Sequence, residues 1–242
     1  MINTAAILAA GLGSRIKESH GDRPKGFIQI DSVPIIERSI DILKSHGISN
    51  IFIGTGHHSE HYERLASTRS LHCIKNPDYE NTGSFYTLTN MKNELNTDFL
   101  LLESDLIYEA RAITRIIENS QPNVILASGE TNSGDEVFIE ANVDNYLESL
   151  SKDIRSISSV FGELVGISKI SAGTYKNLCM WAANNKRTAH QIHYEQALAI
   201  NSKEDPFLVE KIPDLIWSEI DTIEQYMRVR DIIFPKIASK EI

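Results

Sequence analysis

The chain has few cysteines. Its 242 residues include only two, Cys73 and Cys179, and they form no Cys-x-x-Cys pair. The sequence therefore contains neither a disulfide framework nor a cysteine-based zinc motif, a pattern typical of proteins from a reducing compartment.

Basic residues and long apolar segments are also scarce. The 24 lysines and arginines against 33 acidic residues leave a net charge of −9, which argues against nucleic acid or an anionic membrane surface as the main partner. The apolar stretch at residues 5–10 follows no basic segment and is too short to span a bilayer. We therefore expect a cytoplasmic protein, and a small anionic substrate remains compatible with its charge.

Strand-like and helix-like segments alternate along the first 127 residues. Apolar runs at 5–8, 50–54, 71–74, 99–102 and 124–127 predict strands. Segments beginning at about residues 34, 59, 84 and 110 predict the helices between them, and the one that begins at residue 84 runs to about residue 95. This alternation predicts an α/β fold, a Rossmann-like doubly wound sheet that is mostly parallel.

The pattern changes in the second half. Residues 136–141 and 146–150 predict an antiparallel hairpin, followed by a strand at 164–170. Helices are predicted at 172–184 and 191–200, short strands at 207–211 and 217–220, and a last helix from residue 222. We expect a single domain, 1–242, with a nucleotide-binding half at 1–127. The half at 128–242 adds a smaller antiparallel β subregion that covers the site.

A glycine-rich, basic segment follows the first strand. Residues 8–27 read LAAGLGSRIKESHGDRPKGF and gather Arg15, Lys17, Arg23 and Lys25. Glycines in this position let backbone N–H groups approach a phosphate. Pro24 restricts the backbone just before Lys25. The segment therefore predicts a phosphate-binding loop with a positioned lysine, suited to transfer at a phosphoryl centre.

Two familiar phosphate loops do not fit this segment. A dinucleotide-binding Gly-x-Gly-x-x-Gly that starts at Gly11 needs glycine where the chain has Ile16. A P-loop built on Gly21 and Gly26 needs lysine where the chain has Phe27.

The combined motifs resemble the nucleotidyltransferase superfamily, whose signature is a strand, a glycine-rich loop ending in arginine and a downstream Pro-Lys. KNPDYENTGS at 75–84 resembles the segment of that family that borders base and ribose. LLESD at 101–105 resembles its metal-binding strand end, and Ile220-Asp221 its second metal position. The motif residues are most similar to those of small CTP-using enzymes, the phosphocholine and 2-aminoethylphosphonate cytidylyltransferases. It departs from the sugar nucleotidyltransferase form, since Ser-Arg-Ile and Glu-Ser-His follow the glycines.

The resemblance implies roles for particular residues. Lys25 and Arg15 would be catalytic, with Lys25 bridging acceptor and α-phosphate and Arg15 holding the leaving phosphates. Asp105 and Asp221 would hold Mg²⁺, although the residues alone also allow a turn residue and a helix cap. The nucleotide-binding residues would be Leu8, Ala9, Ala10, Gly11, Gly13, Ser14, Arg15, Asn76, Tyr79, Gly83, Ser84 and Ser104.

The acceptor is predicted from the chemistry of the second half. Phosphocholine carries a quaternary ammonium that favours an aromatic cage, whereas 2-aminoethylphosphonate carries three N–H donors that favour carboxylates. The second half offers acids and few aromatics, so we expect CTP and 2-aminoethylphosphonate as substrates, in phosphonate tailoring of cell-surface molecules. Phosphocholine cytidylyltransferase, sugar-1-phosphate nucleotidyltransferase and a non-catalytic nucleotide sensor remain alternatives. The acceptor-binding residues would be Lys25, Asp144, Tyr194 and Glu195.

Overall fold

A computed structural model describes residues 2–16 and 23–240 of the chain. Lys17, one of the four bases counted in the glycine-rich segment, lies outside these residues. The centre of the fold is strand β1 (Thr4–Ala9), which is buried along its whole length. It pairs in parallel with β4 (Asn50–Thr55) and β6 (Phe99–Glu103), and β5 (His72–Lys75) continues the sheet beyond β4.

The other side of the sheet is mixed. The long strand β11 (Gly162–Ile170) runs antiparallel to β6 and to β8 (Val124–Ser128), and β8 pairs in parallel with β12 (Leu208–Ile212). The hairpin of β9 (Phe138–Ala141) and β10 (Leu147–Ser151) extends from one end of β11. The predicted α/β fold, with a smaller antiparallel subregion, is confirmed.

Both faces of the sheet are covered by apolar packing. Side chains alternate along β1, so Ala5 and Ile7 join one buried cluster while Ala6 and Leu8 join the other. This explains why the strand is an uninterrupted apolar run, since a strand buried on two faces has no exposed position for a polar residue.

Nine α-helices are present in the described part of the chain. Two predicted boundaries are wrong: the helix predicted at 84–95 ends at Thr89, and the helix predicted at 191–200 begins only at Tyr194 because His193 and Gln196 form a capping box. The longest helix has 13 residues, and none of those described is long and apolar enough to cross a membrane. The helices are α1 (Ile35–Ser45), α2 (Ser59–Arg69), α3 (Ser84–Thr89), α4 (Arg111–Glu118), α5 (Ala172–Asn184), α6 (Lys186–Gln191), α7 (Tyr194–Asn201), α8 (Ile223–Arg228) and α9 (Phe234–Lys240), with a π turn (Val229–Ile233) between the last two.

Short strands outside the main sheet were not all predicted. Strand β7 (Leu106–Tyr108) pairs antiparallel with β13 (Trp217–Glu219), and the Ile220 N–H donates to the Asp105 carbonyl at 3.0 Å. A second small pair joins β2 (Gln29–Ile30) to β3 (Val33–Pro34). The β7–β13 pairing brings the end of the first half of the chain beside its C-terminal region.

Glu109 connects three of these elements. It is buried, and it accepts hydrogen bonds from the Ile216 N–H at 2.8 Å, from Arg111 at 2.8 Å and from Lys240 at 2.9 Å. Burial opposes ionisation of Glu109, but these hydrogen bonds outweigh it and lower the pKa of the carboxyl.

We expect Glu109→Gln to lower the free energy of unfolding at pH 7 by about 1–3 kcal/mol, because hydrogen bonds to a charged group are lost. A carboxyl whose pKa is lowered by folding stabilises the protein above its unfolded pKa and loses this effect as pH falls. Urea unfolding should therefore show a smaller difference from wild type below pH 4. The exposed Glu148→Gln serves as control, with a change of about 0.5 kcal/mol or less. Equal losses for both variants would contradict this role of Glu109.

Candidate active site

The glycine-rich loop is anchored at its end by packing. The Ile16 side chain is buried in a cluster with Ile28, Ile107 and Ile220, and its N–H donates to the Gly13 carbonyl at 3.2 Å. Burial of Ile16 leaves the preceding Arg15 on the outer side of the turn, where 54% of its side chain is exposed. The loop therefore presents Arg15 at the carboxyl end of the sheet, where open α/β sheets bind ligands.

Lys25 lies beside both of the predicted metal-binding acids. It begins a short 3₁₀ turn (Lys25–Phe27) directly after Pro24, whose backbone is extended. Its Nζ atom is 3.1 Å from Asp105 Oδ2 and also contacts the carboxylate of Asp221. Three residues distant in sequence thus meet at one point, as the motifs predicted.

Arg15 extends the same network towards the second half of the chain. Its guanidinium contacts Asp221 and donates to Asp135 Oδ2 at 2.9 Å. The other oxygen of Asp135 accepts from Lys152 Nζ at 2.6 Å. In this state the cations proposed for phosphate binding are paired with carboxylates.

All of these groups except Asp135 line a cavity of about 350 Å³ at the carboxyl ends of β1 and β6. Most of the residues predicted to form the site line it: Leu8, Ala9, Ala10, Gly11, Arg15, Lys25, Tyr79, Ser84, Ser104, Asp105, Tyr194, Glu195 and Asp221. Further lining residues that carry charged or polar groups are not among those predicted, namely Tyr62, Thr82, Thr87, Glu103, Lys152, His193 and Glu219.

Two predicted nucleotide-binding residues support the cavity wall from behind. Asn76 is buried and donates to the hydroxyls of Thr82 and Thr87 at 2.9 and 3.0 Å. Gly83 packs so closely on the chain between α6 and α7 that a Cβ there would lie 2.1 Å from the Ile192 carbonyl oxygen. Neither residue lines the cavity.

Three other predicted site residues also lie outside the lining. Gly13 and Ser14 belong to the loop but do not face the cavity. Asp144 is exposed in the turn of the β9–β10 hairpin, where its N–H donates to Asn142 Oδ1 at 3.0 Å. The geometry gives Asp144 no part in the site.

A shared Glu-x-Asp sequence pattern would have revealed two of the missed acids. Glu103 and Glu219 each stand two positions before a predicted metal ligand, in the sequences Glu-Ser-Asp and Glu-Ile-Asp. Glu103 ends β6 and is followed by the turn at Ser104 and Asp105, whereas Glu219 ends β13. The two Glu-x-Asp segments bring four carboxyl groups to one cavity.

The cavity has an excess of acidic groups, which raises several pKa values. Burial, with the charge of Asp105 nearby, raises the pKa of Glu103 to about 8 and that of Glu219 to about 7. Glu103 also accepts a hydrogen bond from the Tyr194 hydroxyl at 2.6 Å. Carboxyl groups that resist ionisation in this way indicate a site that gains stability from a bound cation.

The acids also meet the geometric requirement for a divalent cation. One carboxylate oxygen from each of Asp135, Glu219 and Asp221 lies within 4.8 Å of the others. Oxygen ligands of this kind suit Mg²⁺, which binds through a few carboxylates, phosphate oxygens and water. The residues therefore fit the metal that the sequence predicts, and Asp221 belongs to both the predicted pair and this group.

Glu103 makes the stability of the metal-free chain depend on pH. Folding raises the pKa of Glu103 from 4.5 to about 8. The contribution of Glu103 to the free energy of unfolding is therefore fully present below pH 4.5, and it decreases as pH rises towards 8. With EDTA present, Glu103→Gln should therefore gain stability relative to wild type as pH rises through this range, by up to about 1.4 kcal/mol per pH unit. Urea unfolding at pH 5, 6 and 7 measures the difference; a difference that does not change with pH would contradict it.

The family is shown by comparison with known proteins. The family model described as the MobA-like NTP transferase domain matches residues 5–167, which include the glycine-rich loop, Lys25 and Asp105. The chain belongs to this family. The match to the family ends at residue 167, so Glu219 and Asp221 lie in the part of the chain beyond it.

Relatives of this transferase match it over most of its length. A choline-phosphate cytidylyltransferase of Streptococcus pneumoniae is 23% identical over 231 residues, covering 95% of this chain and 97% of the relative. A CMP-5'-(3-aminopropyl)phosphonate synthase of Streptomyces rubellomurinus is 25% identical over 232 residues, or 90% of this chain and 36% of that protein. The solved inositol-1-phosphate CTP transferase from T. maritima superimposes with a TM-score of 0.83 at 16% identity, covering 99% and 96% of the two chains, which shows the shared fold.

Proposed function

We propose that the chain is a cytidylyltransferase that transfers CMP from CTP to 2-aminoethylphosphonate and releases pyrophosphate. The observation that carries the proposal is the meeting of Lys25 with Asp105 and Asp221 at the wall of one cavity. The choice of CTP is supported by the names of the S. pneumoniae and T. maritima proteins, both of which use a cytidine nucleotide.

Arg15 and Lys25 would exchange their partners when the nucleotide binds. Both now contact Asp221, and Arg15 also pairs with Asp135. Mg²⁺, held by Asp221 with Asp105 or with Asp135 and Glu219, would supply the charge that neutralises the triphosphate. Lys25 is then free to bridge the acceptor oxygen and the α-phosphate, and Arg15 to hold the β- and γ-phosphates.

The reaction needs little besides charge and position. An oxygen of the phosphonate attacks the α-phosphorus in line, a new P–O bond forms, and the bond from the α-phosphorus to the bridging oxygen of pyrophosphate breaks. The acceptor oxygen is already ionised near neutral pH, so no residue has to remove a proton from it. Lys25 stabilises the charge that grows between the two phosphorus centres.

The base would lie against the carboxyl end of β1. Leu8, Ala9 and Ala10 line this part of the cavity, with Tyr79 and Ser84 from the segment that follows β5. The cavity of about 350 Å³ would hold the nucleotide and part of the acceptor.

The acceptor's ammonium group would be held by carboxylates. Glu103, Glu195 and Glu219 line the cavity, and burial raises the pKa of each. An aromatic cage for a quaternary ammonium favours tryptophan. No tryptophan is among the described residues that line the cavity. Lys152, beside Asp135, offers a positive charge to the phosphonate. The aminopropylphosphonate relative is further support for an amine-bearing phosphonate.

Phosphocholine is the second candidate acceptor. Tyr62, Tyr79 and Tyr194 line the cavity and could contact trimethylammonium. The S. pneumoniae relative, which covers nearly all of the chain, carries choline phosphate in its name.

A pyrophosphate-release assay tests the proposal. Each of the four ribonucleoside triphosphates is combined with 2-aminoethylphosphonate, phosphocholine or glucose 1-phosphate in the presence of Mg²⁺. We expect CTP with 2-aminoethylphosphonate to be the most active pair. Activity with phosphocholine alone would show that phosphocholine is the acceptor and would leave the proposed cytidylyltransferase activity in place. Nucleotide binding without turnover of any acceptor would overturn the proposed function.

A further inference from the structure

A buried tyrosine connects the two segments that carry the proposed catalytic lysine and its acidic neighbour. We propose that Tyr62 is a positioning residue that fixes Lys25 against Asp105 through its hydroxyl group. The proposal rests on the proposed function, because it assumes that Lys25 acts in the transfer reaction.

The Tyr62 hydroxyl is placed between the residues next to Lys25 and Asp105. Tyr62 is 1% exposed, and its ring reaches from α2 to the cavity wall. The Tyr62 hydroxyl oxygen lies against Gly26, 2.9 Å from the place that a Cβ on this glycine would take, and its polar neighbours are the Gly26 backbone and the Ser104 side chain. Gly26 follows Lys25 and Ser104 precedes Asp105. One hydroxyl group therefore sets the separation of the two segments.

The packing around Gly26 leaves little freedom for the lysine turn. A Cβ on Gly26 would lie 2.9 Å from the Tyr62 hydroxyl oxygen, 3.2 Å from Ile36 Cβ and 3.2 Å from the Ser104 carbonyl oxygen. The Phe27 ring packs edge-on against Tyr62 with 5.1 Å between ring centroids. The turn that begins with Lys25 thus packs against the Tyr62 ring through Phe27 and against the Tyr62 hydroxyl through Gly26.

This arrangement acts on the position of the Lys25 ammonium group. Lys25 Nζ lies 3.1 Å from Asp105 Oδ2, and phosphoryl transfer depends on charge held at a fixed place. A shift of about 1 Å at such a group can cost up to about 10²-fold in rate. Loss of the hydroxyl should therefore lower turnover without removing any group that contacts the nucleotide phosphates.

Tyr62→Phe and Tyr175→Phe form a matched pair of variants. Tyr175 is also buried, and its hydroxyl donates to the Leu88 carbonyl at 2.7 Å, outside the residues that line the cavity. Each substitution removes one buried hydroxyl group and keeps the ring. We expect Tyr62→Phe to lower kcat roughly 10- to 100-fold with KM for CTP within about twofold, and Tyr175→Phe to leave kcat within about twofold. Equal changes in kcat for the two variants would overturn the proposal.

A double-mutant cycle with Lys25→Ala tests whether Tyr62 acts through the lysine. If it does, Tyr62→Phe causes little further loss of kcat in the Lys25→Ala background. Fully additive losses would contradict the proposal. Gly26→Ala should also lower kcat, because the added Cβ would lie 2.9 Å from the Tyr62 hydroxyl oxygen and disturb the same contact.

The nuclear magnetic resonance of the lysine side chains separates this inference from the proposed function. In protein labelled with ¹⁵N-lysine, the Lys25 Nζ signal, assigned with Lys25→Ala, should shift in Tyr62→Phe and stay in place in Tyr175→Phe. This result is expected whether or not any acceptor is turned over. An unchanged Lys25 signal in Tyr62→Phe would overturn the positioning role, while absence of turnover in wild type would count against the proposed function alone.

Discussion

Lys25→Ala is expected to lower kcat about 10²–10³-fold with CTP and the best acceptor. That range is typical for removal of one preorganised charge that stabilises the transition state. Lys25 is suited to this role because only 19% of its side chain is exposed and its Nζ already lies among the acids of the cavity. The pyrophosphate-release assay, with both substrates saturating, measures the loss.

Two comparisons make the Lys25 result specific. Lys236 is exposed on α9 outside the cavity, and Lys236→Ala should leave kcat unchanged. Lys25→Arg keeps the charge in a different shape and should recover part of the rate. Activity of Lys25→Ala within a few fold of wild type would contradict the mechanism.

Asp221→Asn should reduce turnover by about 10²-fold or more and raise the Mg²⁺ concentration needed for half-maximal rate. Asp221 is 4% exposed and belongs to the group of three carboxylates that could hold a cation. Asparagine keeps the shape of the side chain but removes the charge that attracts the metal. Rates measured over a titration of MgCl₂ report both effects.

Asp144→Asn is the matched control for Asp221. Both acids are predicted site residues, but Asp144 is exposed in the hairpin turn. Its substitution should change neither kcat nor the Mg²⁺ requirement. Equal losses in the two variants, or a normal Mg²⁺ response in Asp221→Asn, would contradict the proposed metal site.

The sequence predicts the strands that position the site better than it predicts the site's full set of charges. Buried parallel strands such as β1 and β6 are continuous apolar runs, so the sequence pattern alone locates their ends. Gly11 and Asp105 lie just beyond these ends. The three-residue strand β7 gives no such pattern, although the equally short β13 is predicted at 217–220. The pairing of β7 with β13, which brings Asp221 beside Asp105, was therefore not predicted.

Residues outside a recognisable motif were missed for a related reason. Asp135 and Lys152 lie in segments on either side of the β9–β10 hairpin, and only the folding of that hairpin brings them to Arg15. Asp144 was chosen because it is an acid in the same region, but composition does not tell the cavity side of a hairpin from its turn. Tyr62 follows no motif at all, and its role depends on the close approach of α2 to the lysine turn.

We expect Lys25, Asp105 and Asp221 to surround one nucleoside triphosphate and its metal ion. A crystal structure of the chain with Mn²⁺ and CTP, in which the anomalous signal locates manganese, tests this arrangement. We expect one manganese ion at about 2.1 Å from an oxygen of Asp221 and from a phosphate oxygen, with Lys25 Nζ moved from the carboxylates to the α-phosphate. Manganese bound away from Asp221, or a triphosphate outside the cavity with Lys25 still paired to Asp105, would contradict the account.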